Sequence, residues 1–151
     1  PVPSNTARRA NGYTALAWNH VVVKAKTGVN LNKIANITDL TNAVEAAILA
    51  LQAGKRQWSL SHIVRHYTDS GDHGGAIITW LHEMGHQVQF QAMRMEIPTP
   101  GLNESITTYS MQDTMEWHAE HFAAWALNRA MLETHYPAIV AYFDELMGEL
   151  L

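Results

Sequence analysis

The apolar positions of the chain recur mostly in steps of three and four, the period of a helix that buries one face. Leu40, Val44, Ala47, Ile48 and Leu51 form one such stripe, with Thr38 or Thr41 able to cap its start and Gly54 to stop it. Ile77, Leu81, Met84, Val88 and Ala92 form a second, which Pro98-Thr99-Pro100-Gly101 forbids from continuing. Asp113 stands three residues before Glu116, a capping-box spacing, and opens an alanine-rich helix reaching about Thr134. Pro137 suits the first turn of a last helix, striped by Ile139, Val140, Phe143, Leu146 and Met147.

Three segments read differently. Trp58 to Tyr67 alternates in part and is rich in aromatic and β-branched side chains, which predicts a short strand at the edge of a small sheet. Such an edge could bind substrate by strand addition. Thr68 to Gly75, with glycines at 71, 74 and 75, predicts a turn or mobile loop and a candidate lid. Thr6 to Lys26 mixes helix formers with Val21-Val22-Val23 and reads as a helix ended by Gly28. The whole points to one α+β domain over residues 1–151, mostly helical, with a small sheet.

An apolar share of 47% with 16% charged residues suits a folded chain and not a disordered one. The net charge is only -4 and the ten Lys and Arg are scattered, so no phosphate-binding stripe marks a nucleic-acid partner. The longest strongly apolar run, Ala46 to Leu51, is far too short for a membrane span, and no signal-peptide pattern is seen. The compartment stays open. With no Cys, disulfides and thiolate zinc sites are excluded, and any metal must be held by His and carboxylate groups. The opening Pro1-Val2-Pro3-Ser4, without Met, suggests a processed product or an excised domain of a longer parent polypeptide.

The second stripe contains His82-Glu83-Met84-Gly85-His86, an H-E-x-x-H arrangement. Four residues advance a helix by about 400°, so the two imidazoles lie about 40° apart and one turn from each other, close enough to share one ion. Glu83 stands on the rim of that face, where it can take a proton from water without ligating the metal. Catalytic zinc wants a third protein ligand, and Asp113, Glu116, His118, Glu120, His121 and His135 follow downstream. Relative to Glu116, His118 is rotated by about 200° and His121 by about 140°, while Glu120 returns to within about 40°. One of the two glutamates can ligate while the other accepts the spare N–H of a ligating histidine.

The stretch Tyr109 to Ala123, with Glu116, Ala119 and Glu120, resembles the second helix of gluzincin-type zinc peptidases, in which a ligand glutamate is followed by Ala and an acidic residue three and four positions on. It looks closest to the catalytic domain of anthrax lethal factor and to related peptidase domains of phage head-associated proteins and polymorphic toxins, where a tyrosine precedes the ligand by seven positions. Tyr109 matches it. The resemblance spans about Trp80 to Ala124. It implies a zincin-like (minigluzincin) fold and a zinc-dependent metalloendopeptidase acting on a protein or peptide. It also implies Glu116 as third ligand, Glu120 as the acid orienting a ligating histidine, and Tyr109 as an oxyanion hydroxyl. His118 stands where many relatives carry an apolar or acidic residue.

Blander readings stand beside these. Glu116 could serve only the helix cap, Glu120 could be a solvated acid, and Tyr109 a packed ring. His62, His66, His73 and His121 read as surface or hydrogen-bonded core residues, and Trp80, Trp117 and Trp125 as core anchors, with the Met residues as packing. The rival functions are a noncatalytic zinc module of a phage head or toxin protein, marked by His118 or His121 on the ion, and a metal-free helical interaction domain.

Overall fold

In the computed structural model, which describes residues 11–15, 20–23, 35–95 and 104–151, the helical stripes close on one another. The described helices are α1 (Ile37–Gln52), α2 (Leu60–Tyr67), α3 (Gly71–Gln91), α4 (Thr114–His135) and α5 (Pro137–Leu150), with a 3-10 turn at Tyr109–Met111. Two short strands, β1 (Gly12–Tyr13) and β2 (Val22–Val23), pair antiparallel with Gly12 opposite Val23 and Tyr13 opposite Val22. The class is therefore α+β and mostly helical. No described helix is long and apolar enough to cross a membrane.

Three of the expected elements are corrected. The strand expected over Trp58 to Tyr67 is largely the helix α2, because Ser59 caps it by accepting the His62 N–H and Leu60, Ile63 and Val64 are buried at helical spacing. The sheet is instead at the start of the chain. There the expected helix from Thr6 to Lys26 gives way, at its described residues, to the two strands, as the β-branched Val22 and Val23 favour. The remainder of that span, Gly28 and the Pro98–Gly101 stop lie outside the described residues.

The expected loop up to Gly75 ends early, because α3 already begins at Gly71. Gly71 has φ 50°, a left-handed conformation that glycine adopts without strain. Gly74 is a packing residue: a β-carbon there would lie 2.6 Å from Ser70 Cβ and 2.7 Å from Val64 Cγ1. Gly75 leaves room for the side chain of Arg65. These glycines join α2 to α3 tightly, which removes the lid.

α4 is the central helix and packs on α1, α3 and α5. Leu40, Val44 and Ile48 of α1, Trp117 and Ala123 of α4, and Ile139, Phe143 and Leu146 of α5 are buried in one core. Trp117 is fully buried and stacks on Phe143, whereas Trp80 is 47% exposed on the outer face of α3 and anchors nothing in the core. The α1 cap is Asn36, which accepts from the Thr38 N–H, rather than either threonine. Asp113 caps α4 and Pro137 opens α5 at the positions expected for them.

Candidate active site

Two helices bring the chemistry together. His82, Glu83 and His86 come from the middle of α3, and Glu116 and Glu120 from the first turns of α4. The crossing is close because Gly85 has no side chain: a β-carbon there would lie 2.8 Å from the Cα of Ala119 and 2.9 Å from Phe122 Cβ. A mid-helix glycine costs about 1 kcal/mol relative to alanine, and this approach of two backbones accounts for its use.

Glu116 Oε1 lies 3.1 Å from His82 Nε2 and 2.8 Å from His86 Nε2. The other ring nitrogen of His82, Nδ1, stands 2.9 Å from Glu120 Oε2. Donation of an Nδ1–H to that carboxylate leaves His82 Nε2 as a lone pair facing a carboxylate oxygen. Such a contact is reconciled by a cation between the two atoms, either a metal ion or a proton on Nε2. The ligand atoms of His82, His86 and Glu116 all lie within 4.8 Å of one another, and the group could hold a metal ion. Bonds of about 2.0–2.1 Å around a tetrahedral zinc put its ligand atoms about 3.3 Å apart, so this donor set suits zinc in number and chemistry, and the two Glu116–histidine contacts come near that spacing.

Electrostatics make the same demand. Burial works against a charged His82, yet the hydrogen bonds and charges of Glu116 and Glu120 prevail and raise its pKa to about 10. Burial likewise raises the Glu116 carboxyl, but His82 and His86 overcome it and hold it well below the usual carboxylate range. The pocket favours positive charge where the three ligand atoms meet.

Glu120 is fully engaged. While Oε2 faces His82, Oε1 accepts the Leu60 N–H at 3.1 Å and the Thr107 hydroxyl at 3.1 Å. Glu116 has its backbone N–H capped by Asp113 Oδ1 at 2.8 Å, so the cap uses the amide and leaves the carboxylate for the histidines. Glu83 is buried beside them, and burial raises its carboxyl despite the opposing pull of His86 and His82. The ribbon crosses α3 here, where a β-carbon at Gly12 would come 3.2 Å from Glu83 Cγ.

Tyr109 stacks between two rings, His82 at 5.3 Å and 6° and Trp58 at 5.6 Å and 21°. Its backbone N–H donates to Trp58 O at 2.9 Å, which ties the 3-10 turn to the start of α2. Burial raises its phenol, and the charge of Glu116 and a hydrogen bond to it add to the effect. A cleft of about 380 Å³ opens over these groups, with His82, Glu83, Tyr109 and Glu120 in its lining.

The other candidates are occupied elsewhere. His118 is bonded to Thr114 O and the Tyr142 hydroxyl, and His121 to Trp117 O and the Ile106 N–H. Burial drives His118 down to about 4 and His121 to about 3, so both are neutral hydrogen-bonded core residues. His135 pairs with Gln52 on the surface. Sequence reasoning missed the parts played by Thr107, Trp58 and the Gly85–Ala119 crossing. Of these only Gly85 left a signal, as a helix-weakening residue inside the motif. No family model, curated protein or solved structure matches the chain.

Proposed function

We propose that the protein is a zinc-dependent metalloendopeptidase of gluzincin type. The observation that carries this reading is the meeting of His82, His86 and Glu116 beside a buried Glu83, with His82 and Glu83 facing one cleft. Bound there, zinc would supply a Lewis acid that lowers the pKa of a water and polarises a carbonyl oxygen. Glu83 takes the proton of the attacking water and returns it to the leaving amine, a role served by its raised pKa. The Tyr109 hydroxyl donates to the oxyanion, and its stacking on His82 and Trp58 fixes the ring for that purpose. Glu120 holds the His82 ring in the tautomer that keeps Nε2 free.

A purely structural ion would be closed by a fourth protein ligand. The nearby imidazoles of His118 and His121 are bonded to other partners, which favours the catalytic reading over the zinc module. The test is cleavage of an unbiased peptide library by protein of defined zinc content. Cleavage that chelation abolishes and zinc restores is the expected result. Less than one equivalent of metal in freshly purified, unchelated protein contradicts the reading.

A further inference from the structure

The proposed chemistry uses His82, Glu83, Tyr109 and Glu120. The other titratable side chains lining the cleft, among the described residues, are His62, Arg65 and His66. All three lie on α2, at positions i, i+3 and i+4, and so share one face of that helix. None is acidic.

Arg65 is held in place. Its side chain is 7% exposed, packs over Gly75, and donates from Nη2 to Thr79 Oγ1 at 3.3 Å and from Nη1 to Asp72 Oδ1 at 3.2 Å. The Asp72 side chain is 49% exposed, so water screens that pair in part, and Asp72 contacts the Nη1 end of the guanidinium. The rings of His62 and His66 lie 4.4 Å apart beside it. Bringing three cationic or cationisable groups onto one helix face costs energy unless an anion sits against them. Trp58, 51% exposed and stacked on Tyr109, supplies an apolar wall to the same cleft.

We propose that this face of α2 is the specificity surface of the cleft and receives an acidic side chain, glutamate or aspartate, of the bound peptide. The proposal rests on the peptidase reading and adds its substrate class. The Arg65 guanidinium presents a planar set of donors that matches a carboxylate, while the two imidazoles add N–H donors. The surface selects by charge and leaves the bond-breaking groups unchanged.

The test uses short peptide libraries in which Glu, Gln or Lys alternate at each position. They are assayed for cleavage by the wild-type zinc protein and for equilibrium binding to Glu83→Gln, which holds a peptide without turning it over. At one position Glu should exceed Gln by about tenfold or more, as a charge-assisted hydrogen bond gives. Because Arg65 is packed, the decisive variant is the double substitution His62→Glu with His66→Glu, which leaves the core untouched and should turn the preference towards Lys. Equal use of Glu and Gln, or an unchanged preference in the double variant, overturns the proposal. Acid-selective binding with no wild-type cleavage keeps this surface and removes the peptidase reading. Cleavage without acid selectivity does the reverse, and neither binding nor cleavage removes both.

Discussion

Gly85 of α3 lies so close to Ala119 of α4 that a β-carbon at 85 would meet the Ala119 Cα at 2.8 Å. That contact sets the helix crossing, and the crossing sets the distance from His82 and His86 to Glu116.

Gly85→Ala should therefore damage the site although alanine is the better helix former. Propensity favours the variant by about 1 kcal/mol. The obstacle is backbone, which cannot rotate away, and overpacking of this kind costs about 1–3 kcal/mol. We expect a net loss of stability and a fall in zinc affinity, read by melting and by competition with a chelator. A variant as stable as wild type with unchanged affinity would show that the crossing is not set here.

Glu116→Ala and Glu120→Ala should separate ligand from orienter. The first removes a donor atom and should weaken metal retention more. The second leaves the Leu60 N–H, the Thr107 hydroxyl and His82 Nδ1 without their acceptor, at about 1–3 kcal/mol for a buried unsatisfied group, and should lower melting more in chelated protein. The opposite order in metal retention would exchange their roles.

Tyr109→Phe keeps both ring stacks and removes only the hydroxyl. Fold and zinc content should persist while turnover falls by about 2–4 kcal/mol of transition-state stabilisation. Full activity in the variant reduces Tyr109 to packing.

His121 makes the fold acid-sensitive independently of any metal. One ring nitrogen donates to Trp117 O and the other accepts the Ile106 N–H, so protonation breaks a bond. Its pKa is 6.5 when unfolded and about 3 when folded. Between those values the unfolded chain binds a proton that the folded chain refuses. Its contribution is complete above pH 6.5 and falls as pH drops towards 3, by about 1.4 kcal/mol per unit of difference. His118 acts in the same direction. Melting of chelated protein should fall between pH 6.5 and 4.5, above the normal titration of carboxylates, with a shallower slope in His121→Gln. Equal slopes in the two proteins would remove His121 as the cause.

The legible parts of the sequence were those decided within a turn or two of helix. His82 and His86 face together because helical geometry alone puts positions i and i+4 on one side, and Asp113 and Pro137 mark their helix starts by local bonding. Trp58 to Tyr67 misled because its β-branched and aromatic content suits a strand, while the Ser59 cap and the burial of Leu60, Ile63 and Val64 together favour a helix. The glycines at 74 and 75 resemble loop residues until Val64 and Arg65 are known to press on them. Neither Thr107 nor Leu60 carries any local sign that it will hold Glu120, since each reaches it only through tertiary packing.

Glu83→Gln tests the central claim most directly, because it keeps the size and reach of the side chain and removes its ability to accept a proton. The measurement is cleavage of the peptides that wild type cleaves, at matched zinc content and melting temperature. The account predicts that the variant keeps its metal and its fold and loses nearly all cleavage. Cleavage as fast as wild type by the zinc-loaded variant would contradict it.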